Sequence, residues 1–299
     1  MNETVIFITA RRGYITDGLN ASGFLTFYPY KDKTILGRVL REVWFQVGLP
    51  EQVWYNNSID NAHIFIIHDP QITKRYLVWF KNKFKDSEVN FVYGNIVGKA
   101  RHVYPKQIPD GIQIWTFDKN DSDKYKIRMH SSGGYLTSYI KTRKKVKYDV
   151  FYIGADKGRA QYIINLQKQM ESIGIITKFL ITANGKFSSK KTYYAEPISY
   201  DSVIDYVSES KAILNIMLPN QNGATMRDYE SIFIGVKLIT NNKNIKNYDF
   251  YIENNVFILG ERDISELKDF LSTPFIQINK EILRKHTIYA FVKEIVSSK

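Results

Sequence analysis

Cysteine is absent from all 299 residues. That excludes disulfides and thiolate metal sites, and it fits a cytoplasmic location. Histidine is scarce at five residues, and neither HxH nor HxxxH spacing occurs, so no metal centre is expected. No run approaches the roughly 18 apolar residues of a membrane-spanning helix. The opening MNETVIFITARR places an acid before a short apolar run and has no basic leader segment. It reads as a first strand, not a signal peptide. RNA-recognition, zinc-finger and helix-turn-helix signatures are also missing.

What is present is a globular composition, 44% hydrophobic and 14% aromatic, in a chain long enough for two domains. Lysine and arginine exceed the acids by 12 and the pI is near 9.4. Such a balance calls for an anionic partner: a nucleotide, nucleic acid or an anionic membrane surface. Solvated lysine-rich faces account for part of the charge, and nucleic acid is the weaker choice. A homo-oligomer is compatible with the composition.

The chain alternates between short apolar runs and amphipathic segments. Runs at 5–9, 63–69, 89–93 and 112–117 read as buried parallel strands, with helices between them. The segment 31–48 has Ile35, Val39, Val43 and Val47 in one stripe, with Lys33, Arg38 and Arg41 off it. A core-facing helix is the favoured reading and a membrane-surface helix the other. At 141–147 the chain reads KTRKKVK, with almost nothing to bury, which marks an interdomain linker. Strands and helices resume at 148–153, 160–173, 177–181 and 201–210, the last helix starting on an Asp N-cap. A final amphipathic helix covers 281–296. The expected architecture is α/β, two Rossmann-like domains facing a cleft, over 1–142 and 143–299.

Strand ends carry the chemistry in such a fold. The first is followed by Arg11, Arg12 and Gly13, a basic loop suited to an anion. Further on, His68 and Asp69 close the strand at 63–69, and Asp118 follows the one at 112–117. All three are candidates for a base that takes a proton from an acceptor hydroxyl, and histidine has the best-matched titration range. The DSD at 121–123 has metal-binding spacing but reads as a solvated turn after Asp118.

The densest signal is 219–242, PNQNGATMRDYESIFIGVKLITNN, which follows the apolar run AILNIML. It reads as strand, polar loop, helix, strand. Thr225 is the N-cap with Asp228 as its capping-box acid, and Gly235 is the stop. The helix start therefore sits at the carboxyl end of a strand, where free N–H groups and the helix dipole favour an anion. Many such turns bind nothing. This one adds Arg227 within the first turn and Glu230 beyond it, and the bland reading of those two is an i,i+3 surface ion pair.

Together, YDVFYIGADKGR and the 219–242 stretch resemble bacterial glycosyltransferases of the GT-B type that build capsular and lipopolysaccharide chains. FIIHDP, NFVYGN and IWTFDKNDSDKY resemble that group's successive strand ends. The resemblance implies a nucleotide-sugar donor in the second domain and a saccharide, lipid-linked or protein-linked acceptor in the first. It implies that Gly154, Lys157 and Arg159, with Asn222, Gly223, Ala224, Thr225 and Arg227, surround the donor diphosphate. Glu230 would receive the ribose hydroxyls, and Ile198, Ser199 and Tyr200 would read the base. Many retaining members carry two glutamates eight positions apart here, and Asn222 replaces the first, which leaves the stereochemistry open. No metal or other cofactor is expected. The net positive charge and the 31–48 helix suggest a cytoplasmic protein that works at the inner face of the membrane without spanning it. The rival classes are a non-catalytic nucleotide-sugar-binding or partner module and, less favoured, a nucleic-acid binder.

Overall fold

A computed structural model describes residues 4–10, 13–98, 103–184, 191–218 and 221–297. Arg11 and Arg12, and Pro219 and Asn220 of the loop stretch, lie outside them. The chain divides into two compact units, Met1–Ser138 with Ile288–Lys299, and Tyr139–Thr287. The second unit thus starts four residues before the expected boundary, and the last helix belongs to the first unit instead.

The first unit is built on β1 (Val5–Ile8), β2 (Leu25–Phe27), β3 (Ile64–His68), β4 (Glu88–Val92), β5 (Ile112–Thr116) and β6 (Arg128–Met129). They form one parallel sheet in the order β2-β1-β3-β4-β5-β6. Ile6 is in register with Phe65 and Leu25. Because helices cover a parallel sheet on both faces, Ile6, Phe7, Ile8, Phe65, Ile66 and Ile67 are all fully buried. The helices are α1 (Tyr14–Ala21), α2 (Ile35–Gln46), α3 (Lys74–Lys83) and α4 (Lys119–Tyr125). Thr73 caps α3 by accepting the Tyr76 N–H at 3.0 Å.

One helix is inverted. α2 forms where the apolar stripe predicts it, but Ile35, Val39, Val43 and Val47 are 50–65% exposed. Gly37 and Arg41 face inward instead. The core-facing reading of this helix is therefore wrong. Its inner side is set by Arg41, whose guanidinium lies 3.9 Å over the Tyr30 ring and donates to Gln71 Oε1 at 2.8 Å.

The second unit contains β7 (Tyr148–Ala155), α5 (Ala160–Ser172), β8 (Thr177–Thr182), α6 (Tyr200–Ser208) and β9 (Ser210–Asn215). After these come α7 (Met226–Ile234), β10 (Lys237–Thr240), β11 (Val256–Ile258), α8 (Leu267–Ser272) and α9 (Lys280–Lys285). The sheet is again parallel, in the order β11-β10-β9-β7-β8. The basic stretch 141–147 has no regular structure. Lys141 and Lys144 each meet Asp205 at 2.9 Å, and Lys147 meets Glu209 at 2.9 Å, so it is laid along α6 and its C-terminus.

The expected single helix over 281–296 is two. α9 stops at His286, whose Nε2 bonds Asp249 Oδ1 at 2.8 Å. α10 (Ile288–Ser297) then joins the first unit, where Glu294 accepts the N–H groups of Ser131 and Ser132 at 2.8 and 3.0 Å. Among the described residues no helix is long and apolar enough to cross a membrane.

Candidate functional site

In each sheet the strand order reverses once, between β1 and β3 and between β7 and β9. At such a reversal the connections leave toward opposite faces and open a crevice beyond the strand ends, where open α/β sheets hold ligands. The crevice of the second sheet gathers most of the residues singled out in the sequence.

The β7–α5 turn is the first wall. Asp156 Oδ1 accepts the N–H groups of Gly158 and Ala160 at 3.0 and 2.9 Å, and Oδ2 accepts the Tyr194 hydroxyl at 2.6 Å. The Tyr194 bond, helped by those N–H groups, holds this carboxyl below the usual carboxylate range. Lys157 sits in the left-handed region at φ +47° and donates its N–H to Asn184 Oδ1 at 2.6 Å. A lysine there costs roughly 1–3 kcal/mol, so the surrounding bonds must hold the turn in shape. Gly154 is required by close approach. A Cβ on it would stand 2.6 Å from the Tyr152 hydroxyl and 3.3 Å from Arg159 Nη2.

Arg159 lies across the reversal itself. Its Nη1 donates to the Ile216 carbonyl just beyond β9, and Nη2 donates to the Ala155 carbonyl at 3.4 Å.

The start of α7 is the second wall. Thr225 Oγ1 accepts the Arg227 N–H at 3.2 Å, and Asp228 Oδ2 accepts the Thr225 N–H at 2.6 Å, completing the capping box read from the sequence. Asn215, the last residue of β9, donates to both Thr225 Oγ1 and Asp228 Oδ1, at 3.0 and 2.9 Å. Asp228 is fully buried, and burial pushes its pKa up to about 6 against the lowering by those donors. At the other end, Gly235 takes φ +77° to stop the helix.

Arg227 reaches back along α7 to Glu230, and the Tyr200 hydroxyl donates to the other Glu230 oxygen at 2.9 Å. The Glu230 side chain is fully buried and that of Arg227 is 22% exposed. This is not the solvated surface pair that i,i+3 spacing alone describes, and breaking it would strand a buried charge. Tyr200 opens α6, which Ser199 caps by accepting the Ser202 N–H at 3.1 Å, so the Asp N-cap expected at 201 is corrected by two positions. Ile198 lies half-buried just ahead of this cap.

Tyr152 of β7 lies within electrostatic reach of both arginines. Burial raises its hydroxyl above the ordinary tyrosine value, while Arg159 and Arg227 both pull it down. Beside them the Gly223–Ala224 peptide is pinned by the Tyr248 hydroxyl, 2.7 Å from the Ala224 nitrogen. Asn222 lines a pocket of about 350 Å³ with Met217, Gln221, Asn241 and Asn242, at the ends of β9 and β10.

The first sheet places its candidates at strand ends as expected. His68 closes β3, half-buried, with its ring edge-on to Phe7 at 5.7 Å between centroids. Asp69 is buried and accepts the Gly94 N–H at 3.2 Å. Asp118 is the N-cap of α4, accepting the N–H groups of Asn120 and Asp121 at 3.0 and 3.2 Å. Gly13 caps α1. The DSD is not a solvated turn but part of α4. Asp121 is buried there and accepts the Val97 N–H at 2.6 Å, and Asp123 pairs with Lys119.

Several members of the second site were not singled out from the sequence, among them Tyr152, Asn184, Tyr194, Asn215 and Tyr248. Tyr152 looks like any apolar strand residue. Asn215 does leave a signal, because it is a polar residue interrupting the apolar run AILNIML.

No family model matches this chain, and no curated protein matches it in sequence. Solved structures do match. Sucrose-phosphate synthase from Thermosynechococcus elongatus aligns at a TM-score of 0.54 and 8% identity over 100% of both chains. HepE from Anabaena, in complex with UDP and glucose, aligns at 0.51 and 9% over 99% of both. The fold is that of the GT-B glycosyltransferases. The catalytic domain of Arabidopsis thaliana starch synthase IV, bound to ADP and acarbose, aligns at 0.50 and 9% over 87% of this chain and 75% of that one. At such identities the likeness establishes the GT-B fold and nothing finer. The chemistry has to be argued from this chain's own residues.

Proposed function

We propose that the protein is a glycosyltransferase that moves a sugar from a nucleotide-sugar to a saccharide, lipid-linked or protein-linked acceptor. The donor is held by the second unit and the acceptor by the first. The observation that carries this reading is the placement of two arginines at the strand ends of the second sheet, Arg159 laid from the start of α5 to the Ile216 carbonyl and Arg227 in the first turn of α7. A nucleoside diphosphate needs cations of this kind, and the dipoles of the adjacent helix starts favour its negative charge.

A guanidinium has five donors, so Arg227 can keep Glu230 while it binds a phosphate oxygen. Glu230 is closed off by Arg227 and Tyr200 and presents no surface to a ribose. In this reading it orients those two side chains, and Tyr200 faces the nucleoside. Lys157, Arg159 and Arg227 neutralise the leaving diphosphate directly, and the transfer proceeds without a metal. His68 takes the acceptor proton in an inverting reaction, while Asp69 and Asp118 hold the loops around it. The site of work is the cytoplasmic face of a membrane, in surface-polysaccharide or glycoprotein synthesis.

Asn222, standing where many retaining enzymes carry a glutamate, favours a second reading, a module that binds nucleotide-sugars without turning them over. The test is release of nucleoside diphosphate from a panel of UDP-, GDP-, ADP- and dTDP-sugars, with and without simple sugar acceptors. Turnover of at least one donor, undiminished by EDTA, is the expected result. Binding without turnover would establish the module instead, and neither binding nor turnover would overturn both.

A further inference from the structure

α2 is tied to the first unit by its polar side and turns its apolar side outward. Arg41 is 2% exposed, while Ile35, Leu36, Val39, Leu40, Val43 and Val47 are each 50–68% exposed. At 3.6 residues per turn these six span an arc of roughly 140°. A contiguous apolar patch of this kind on a folded domain marks an interaction surface.

Size, charge and aromatic placement identify the occupant. A stable protein–protein interface takes about 20–30 residues on each side, several times what this three-turn helix offers. A bilayer boundary needs no such area, because short amphipathic faces with basic flanks lie in it directly. The exposed basic groups at the flank are Lys31 and Lys33, which stand at the helix entry on either side of Asp32. Arg38 on the helix edge pairs with Glu42 at 3.0 Å, and Arg75 pairs with Glu51 at 3.8 Å, in the 3-10 turn Glu51–Trp54 that packs on α2. Lys31 is fastened to the same turn through the Val53 carbonyl at 3.0 Å. Trp44 and Trp54 pair edge-on beside the face, 6.3 Å between centroids and half-buried, as rings at a headgroup layer do.

We propose that the outward face of α2 docks the protein on an anionic bilayer, with its aliphatic side chains at the acyl boundary and Lys31 and Lys33 among the headgroups. This deepens the membrane part of the reading above, but it does not depend on catalysis.

The test is flotation of the full chain with phosphatidylcholine vesicles containing or lacking phosphatidylglycerol, at low and high salt, alongside tryptophan emission. The wild type should float with the anionic vesicles, release as salt rises, and shift its emission to the blue. Val39→Ser with Val43→Ser should weaken partitioning at least about tenfold, with an unchanged melting temperature because both positions are exposed. Lys31→Gln with Lys33→Gln should weaken it less and remove much of the salt dependence. No flotation, or flotation indifferent to the valine changes, overturns the proposal. A concentration-dependent dimer that the valine variant dissociates, without vesicle binding, gives the face to a second copy instead. Transfer to a water-soluble acceptor should be the same in the wild type and the valine variant, so a failed flotation and a failed transferase reading cannot be confused.

Discussion

The two sheets end in different chemistry. Among the described residues, the carboxyl ends of the first carry His68 and the buried carboxylates Asp69, Asp118 and Asp121, and the sequence adds Arg11 and Arg12 after β1. At those of the second stand Arg159 and Arg227, and both Asp156 and Asp228 are taken up in capping helix starts. Both sheets share the parallel, once-reversed architecture, so the fold alone does not set the difference. Side chains at the strand ends do. A crevice rich in guanidinium and helix N-termini suits a diphosphate, and one rich in carboxylate and imidazole suits a hydroxyl that must lose its proton. The proposed division of labour between donor and acceptor rests on this contrast.

The contrast can be broken most sharply at His68. His68→Ala should lower transfer by about 10²–10⁴-fold while leaving nucleotide affinity unchanged, because the change is confined to the first sheet. A matching loss of nucleotide affinity in that variant would erase the distinction between the two crevices. Next comes Arg227→Ala, which leaves Glu230 charged and buried and should cost about 3 kcal/mol in urea denaturation. The paired change Arg227→Met with Glu230→Gln removes both charges and should recover most of that loss.

The pH dependence sharpens the same comparison. Asp228 has its pKa raised to about 6 in the folded chain, above the ordinary carboxylate value. The folded state therefore binds the proton more tightly than the unfolded one. Its stabilising contribution is complete below about pH 4 and is lost as pH rises through 6, a change of about 1–3 kcal/mol. Asp228→Asn should flatten that part of the stability profile. The smallest effect is expected at Asp118→Ala, the loss of one helix cap in the first sheet, at about 1 kcal/mol by urea denaturation with nucleotide affinity unchanged.

Much of this was legible in the sequence because parallel strands buried on both faces appear as uninterrupted apolar runs, as at β3 and β9. The Thr225–Asp228 cap was legible for a related reason: capping is local, and its partners lie within one turn. What was not legible is long-range. The apolar stripe of α2 shows that a face exists, but not which way it turns. That direction is set by Arg41 meeting Tyr30 and Gln71, the latter 30 residues away. Glu230 reads as a ribose ligand until Tyr200, also 30 residues distant, is seen bonded to it. β2 and β6, at three and two residues, are too short to carry any periodicity. The break at His286 follows from its bond to Asp249, which no local pattern announces.

The central claim, that the strand ends of the second sheet hold a nucleoside diphosphate through Arg159 and Arg227, is tested most directly by calorimetric titration with UDP, GDP, ADP and dTDP. The account expects one or more of them to bind the wild type. It expects at least about tenfold weakening in Arg159→Met, and the same in the neutral pair Arg227→Met with Glu230→Gln, in keeping with the strength of charge-assisted phosphate bonds. Unaltered affinity in both variants, or no nucleotide bound by the wild type at millimolar concentration, would contradict it.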